Sequence, residues 1–342
     1  MANRDTPIRF DVTTLGELVI DMIPAAGPDD GHLFVAKPGG APGNVAAGVA
    51  RLGLRTAMLS KVGPGSLGDM LIETLARAGV DTGAIIRSPV EPTALAVVSV
   101  NADGERDFML YREGCADASF AANEVALDVV RASRVLHVGS LSLATPASAA
   151  AQRLAVACAR DAGALISTDV NFRPTIWRDH EAMHATGREA VAGADIVKVS
   201  AEELSALTGI AETAGAVKSL WHHGLKVLTV THGPGGAEFF TADRHVSIAG
   251  FPVEVADTVG CGDAFMAALL VGLLAIDITA LREGELLSIG RSACAAGAVI
   301  AGVAGAMEHM PRPQDIATLV AVAGRLGIAD DRRPRPHQGQ AR

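Results

Sequence analysis

The strongest constraint on the fold is an alternation of two kinds of segment. Short apolar, β-rich runs at about residues 135–138, 164–168, 196–199 and 226–231 are separated by longer stretches of helical character, the first an Ala-rich one at 146–162. Strands joined through helices favour right-handed crossovers and a parallel sheet covered on both faces. Ligands in such sheets gather beyond the carboxyl ends of the strands. Only 4% of the residues are aromatic while Ala, Gly and Val abound, which suits helices packed closely on a parallel sheet. The 342 residues allow one large or two ordinary domains.

The segment with the sharpest chemistry is Asp257-Thr258-Val259-Gly260-Cys261-Gly262-Asp263, ahead of the uncharged run 264–276. Gly260 and Gly262 remove Cβ atoms where a loop enters a helix, so backbone N–H groups can converge on an anion. The helix terminus favours phosphate there and favours the ionised form of Asp263. A carboxylate beside an anion hole is what phosphoryl transfer to an alcohol needs. A glycine-rich turn with an N-capping Asp is the alternative. Cys261 reads as a small buried filler rather than a reactive thiolate.

The 257–263 segment resembles the D-T-x-G-A-G-D signature of the ribokinase-like, phosphofructokinase-B type carbohydrate kinases, with Cys261 for Ala. A second segment, Gly39-Gly40-Ala41-Pro42-Gly43-Asn44, opens a helix at 45–52 and resembles the family's G-G-A-P-A-N-V-A, with Gly43 for Ala. The resemblance runs from about residue 14 to 313. It implies a three-layer α/β sandwich with a central, mostly parallel sheet and a small β-sheet lid, in one kinase domain spanning 1–330. The lid strands would come from about 17–38 and 93–112, the latter a hairpin around Asp103-Gly104. Residues 331–342, rich in Arg, Pro and Gln, are expected to be a disordered tail.

Carried onto this chain, the resemblance gives Asp21, Gly39, Gly40 and Asn44 to the sugar, with Asp21 able to accept two hydroxyls. Asp263 would be the base, and the backbone of Gly260, Cys261 and Gly262 the anion hole. Asp169-Val170-Asn171-Phe172-Arg173-Pro174 resembles the fructokinase-type D-x-N-x-R-P segment, placing Asp169 near the metal and Arg173 near substrate or phosphate. Tyr111-Arg112 also points to the fructokinase branch, with Arg112 reaching the substrate; alone, Arg112 reads as a surface residue. Ser200 and Glu203 stand at the family's N-x-x-E, where Glu203 orients water around Mg²⁺; the same pair is an ordinary capping box. Thr231, Gly233 and Gly236 match T-x-G-x-x-G for ATP, and Asp257 would assist there. Gly305 falls in the adenine and K⁺ segment.

The activity implied is transfer of the γ-phosphoryl of ATP to a sugar primary hydroxyl. Fructose is the first choice of sugar, a 2-keto-3-deoxy sugar acid such as 2-keto-3-deoxygluconate the second, and ribose the third. A sensor that binds sugar or nucleotide without catalysis is the non-enzymatic alternative. Gly63-Pro64-Gly65-Ser66-Leu67-Gly68 also reads as a G-x-G-x-x-G, which raises a dinucleotide-binding reading. Pro64 and the lack of a second Rossmann half weigh against it. The net charge of −9 argues against nucleic acid or an anionic membrane as partners. Scattered cysteines and no apolar leader point to the cytoplasm. A homodimer formed through the lid is a further expectation.

Overall fold

The stretch 8–20, which reads as one β-rich run, divides at Gly16 and feeds two sheets. The computed structural model describes residues 7–25, 33–100, 106–177 and 179–325. Its strands in chain order are β1 (Phe10–Leu15), β2 (Val19–Ala25), β3 (Leu33–Gly39), β4 (Thr56–Val62), β5 (Val80–Asp81), β6 (Ile85–Arg87) and β7 (Ala94–Val100). Then follow β8 (Arg106–Tyr111), β9 (Ser133–Gly139), β10 (Leu165–Asp169), β11 (Ile196–Ser200), β12 (Val227–Thr231), β13 (Gly236–Phe240) and β14 (His245–Ala249). The large sheet runs β14-β13-β12-β11-β10-β9-β1-β4-β5, with β6 also on β4. From β12 to β5 every pairing is parallel, while β13 and β14 form an antiparallel edge.

The helices are α1 (Ala41–Arg51), α2 (Ser66–Ala78), α3 (Leu127–Arg131), α4 (Pro146–Asp161), α5 (His180–Ala192), α6 (Ala201–Thr208), α7 (Thr213–Leu220), α8 (Cys261–Leu274), α9 (Glu283–Ala301) and α10 (Pro313–Arg325). Strand residues alternate between two cores, as a half-turn per residue requires. Val12, Met58, Val135, Ile196 and Val227 face α1, α2, α8, α9 and α10. Leu136, Val138, Val197, Val199, Leu228 and Val230 face α3 to α7. The result is a three-layer sandwich, as the alternation of segments implies.

The small sheet has the order β3-β2-β7-β8, so the residues expected to supply a lid do form one sheet of their own. The turn expected at Asp103-Gly104 and the tail at 331–342 lie outside the described residues. Among the described residues, no helix is long and apolar enough to cross a membrane. The glycine-rich stretch 63–68 is a tight corner into α2: a Cβ on Gly63 would strike the backbone of Pro92 and Thr93, and one on Gly65 would meet open space. Neither cleft described below is lined by it. The dinucleotide reading therefore has no cradle there.

Candidate active site

Asn44 and Asp263 are 219 positions apart, yet Nδ2 of the amide donates to Oδ2 of the carboxylate at 2.8 Å. Their helices cause this. A Cβ on Gly48 would stand 2.7 Å from the Ala267 methyl, so α1 and α8 approach closely and their first turns adjoin. Helix α1 begins at Ala41, earlier than its sequence pattern suggests, because Pro42 fits a first turn whose N–H groups have no acceptor within the helix. Asn44 consequently projects from that turn beside Asp263, which is in the first turn of α8.

Gly260 caps α8 in the left-handed region at φ 80°, where a Cβ would collide with Ala306. That corner turns the N–H groups of Gly262 and Asp263, which have no acceptor within the helix, outward at the strand ends. Asp257 fixes the corner: Oδ1 accepts the Val259 N–H at 3.0 Å and Oδ2 the Gly305 N–H at 3.3 Å. Burial, reinforced by the charges of Asp263 and Asp257, pushes the Cys261 thiol up to about 11, so it is a filler and no thiolate.

On one side of the turn lies a polar cleft of about 330 Å³, walled by β2, β7 and β8 of the small sheet through Val19, Asp21, Ala96 and Leu110. Its floor carries Glu17, Asn44, Asp169, Lys198 and Asp263, with Arg173 at the exposed mouth. On the other side is a more apolar groove of about 550 Å³ between Thr231–Gly236 and α9, lined by Phe251, Phe265, Cys294 and Ala298. Both include Thr258 and Gly262. One turn thus joins them.

Burial governs the acids of the polar cleft. It raises Asp21 to about 7 against the pull of Arg173, with the charges of Asp263 and Asp257 adding to the rise. Glu17 likewise rises to about 7, mainly through burial, and its Oε2 has no hydrogen-bond partner among the described residues. The Oδ1 of Asn44 is in the same position. Burial also raises Asp263, although the Asn44 hydrogen bond, Lys198 and Arg173 work the other way. The helix terminus expected to favour ionised Asp263 is thus opposed by desolvation. Lys198 stands opposite Asp169 in the parallel register of β11 and β10, and its Nζ donates to both carboxylate oxygens at 2.9 and 2.8 Å. Burial works against that ammonium, but Asp169, Glu203 and Asp263 together hold its pKa above the ordinary value. His137 beneath them is driven down to about 3 by burial and by Lys198, and bonds Ser167 through Nδ1 at 3.0 Å.

Of the residues assigned from sequence, Asp21, Gly40, Asn44, Asp169, Arg173, Gly260, Gly262 and Asp263 line the polar cleft. Thr231, Gly233, Gly236 and Cys261 line the groove. Others have different work. Gly39 lines neither wall: a Cβ there would occupy the space of the Asp21 carboxylate. Arg112 is buried rather than on the surface, ion-paired with Asp117 and donating to the Leu141 carbonyl at 3.2 Å. Asp257 and Gly305 bind each other instead of lining the groove. Glu203 forms the capping box with Ser200 and also accepts the Phe172 N–H at 2.7 Å, tying α6 to the segment after β10. Glu17 and Lys198, unassigned from sequence, are part of the cleft.

Residues 9–313 match the pfkB family carbohydrate kinases. The chain belongs to that family. It is 37% identical over 313 residues to Fructokinase-2 of Solanum habrochaites, covering 90% of this chain and 95% of the relative. A crystal structure of fructokinase with bound ATP from Xylella fastidiosa superposes with a TM-score of 0.85 at 31% identity, covering 92% of this kinase and 99% of that one. Fructokinase from Vibrio cholerae O395, in a fructose, ADP and calcium ion bound form, gives 0.79 at 29% identity over 91% and 99% of the two chains.

Proposed function

We propose that this kinase is an ATP-dependent fructokinase, with the sugar in the polar cleft and the nucleotide in the apolar groove. The observation that carries this is the meeting of the two spaces at Thr258 and Gly262, with Asp263 on the sugar side. ATP in the groove would direct its terminal phosphate toward the N–H groups of Gly262 and Asp263. A primary hydroxyl in the cleft would give its proton to Asp263 as its oxygen bonds to the γ-phosphorus. The bond from that phosphorus to the β,γ-bridging oxygen breaks, and ADP leaves with the electron pair. An elevated pKa makes Asp263 a more competent base than a surface aspartate, and Asn44 holds it in line.

The cleft selects against an anionic sugar. Glu17, Asp21, Asp169 and Asp263 face only Lys198 and Arg173 among the charged lining residues, and Lys198 is already paired with Asp169. The unpartnered Oε2 of Glu17 and Oδ1 of Asn44 are suited to hydroxyl groups, because a buried polar atom left unpaired costs about 1–3 kcal/mol. Ranking fructose above a 2-keto-3-deoxy sugar acid follows from this charge count.

Among the described residues no group of three or more His, Cys, Asp or Glu side chains gathers to hold a metal. Mg²⁺ would then be bound by the nucleotide's phosphates and water, with Asp169 and Glu203 beyond that water, and it supplies charge neutralisation when bound. A K⁺ site at carbonyls near Gly305 belongs to the same reading. The edge strands of the small sheet carry exposed Leu33, Phe34, Val35, Met109 and Tyr111, which suits cover by a second copy. Four cysteines scattered without a C-x-x-C spacing suit a reducing cytoplasm. The test is ADP release with fructose, 2-keto-3-deoxygluconate, ribose and no sugar. Fructose is expected to give the highest kcat/KM. Turnover confined to the sugar acid would replace the substrate, and none with any sugar would favour a sensor.

A further inference from the structure

The Lys198–Asp169 pair is the charged feature of the cleft that the base-and-anion-hole scheme leaves unused. Both side chains are almost wholly buried, and both line the space into which Asp263 faces. A Cβ on Gly262 would stand 2.9 Å from Lys198 Nζ, so only the absent methyl separates this cation from the helix terminus. Stability is a weak reason for such a pair, since replacing a buried ion pair by apolar residues of similar volume is often neutral or stabilising.

The charge balance supplies a reason for keeping it. A phosphoryl group entering beside Asp263 brings further negative charge into a cleft that already holds more acids than bases. Arg173 is exposed, and its Nη1 donates to Asn171 and to the Phe172 carbonyl. Lys198 is the buried cation on the lining, where electrostatic attraction is least screened. Asp169 grips it through both oxygens and so sets its direction.

We propose that Lys198 is a catalytic residue that contacts the transferring phosphoryl group opposite the N–H groups of Gly262 and Asp263, with Asp169 as its positioning residue. This rests on the kinase reading of the cleft but not on the identity of the sugar. The experiment compares the wild type, Lys198→Met, Lys198→Arg and the double variant Lys198→Met/Asp169→Asn. It measures ADP release with the best sugar, and calorimetric binding of ADP alone and of ADP with aluminium fluoride in the presence of that sugar. Lys198→Met is expected to lower kcat about 100-fold or more, as losing a preorganised charge donor does. KM for the sugar should stay within about threefold, as for an interaction made only in the transition state. Lys198→Arg should recover part of the loss. ADP affinity should hold while affinity for the aluminium fluoride complex falls in parallel with kcat.

The double variant decides the matter, and it avoids the unpaired buried carboxylate that could unfold the single one. Double-variant turnover as slow as that of Lys198→Met supports phosphoryl contact. Recovery to within about threefold of wild type would mean that Lys198 only neutralises Asp169, and would overturn the proposal. So would undiminished binding of the aluminium fluoride complex. Wild-type turnover tests the underlying kinase reading separately, so the two failures are told apart by different proteins.

Discussion

The two spaces that meet at Thr258 and Gly262 are made of different materials. The polar cleft carries charged and amide side chains, most of them buried, and all four of its acids sit above their ordinary pKa. The groove is lined by glycines, alanines, two phenylalanines and two thiols, with Thr231 at its polar end. A sugar with hydroxyls on every carbon can be told from its isomers only by fixed polar partners, which a site must orient and desolvate beforehand. A nucleotide is held through a flat apolar base and a polyphosphate, for which surface and backbone N–H groups suffice. Damage to one side should therefore be felt by one substrate alone, except at the shared turn.

The largest effect belongs to that turn. Asp263→Ala is expected to lower kcat by about 10³-fold or more while sugar affinity changes little, read by ADP release and sugar titration. Turnover near wild type would remove Asp263 from the chemistry. A smaller, paired effect sharpens the contrast between the sides. Glu17→Gln should raise KM for fructose about tenfold and leave KM for ATP alone. Ala298→Leu, which narrows the groove, should do the reverse by a similar factor of about ten. If either substitution moved both constants equally, the two sides would not be independent.

The smallest effect is on stability. Asp21 and Glu17 have native pKa values of about 7, against ordinary values of 3.8 and 4.5. Between those limits the folded chain holds protons that the unfolded chain has released, so stability is greatest below the unfolded values. It falls as pH rises toward 7 and levels off above it. From about pH 6 to 8 each group should cost about 1 kcal/mol, measured by denaturant unfolding of the ligand-free protein. Asp21→Asn with Glu17→Gln should flatten that slope. An unchanged slope would show that these acids are ionised throughout, and that the polar cleft is wetter than its burial implies.

Much of this was legible in the sequence, for identifiable reasons. The parallel sheet covered on both faces follows from strand and helix alternation, and the turn at 257–263 from its paired glycines ahead of an uncharged run. Side-chain partnerships across strands were not legible. Lys198 sits in Ile-Val-Lys-Val-Ser, where a strand reading takes it for one more alternating position. The available signal was a charge in the middle of a strand buried on both faces, which demands a partner such as the acid ending the neighbouring strand. Arg112 taken alone suggests a surface residue because a lone arginine is usually exposed, whereas its partner Asp117 lies five residues on in a short helical turn. Glu203 shows both meanings at once, since a capping box and a family motif share the same spacing. Glu17 follows Gly16 at the point where the chain leaves one sheet for the other, a junction that residue pattern alone does not mark.

A crystal structure with fructose and ADP bound together bears most directly on the shared turn. The sugar's primary hydroxyl is expected within about 3 Å of the Asp263 carboxylate, the terminal phosphate of ADP directed toward the N–H groups of Gly262 and Asp263 with the space of one phosphoryl group between, and the base in the groove beside Ala298. A sugar seated away from Asp263, or a nucleotide whose phosphates run away from Gly262, would contradict the junction of the two clefts as the place of phosphoryl transfer.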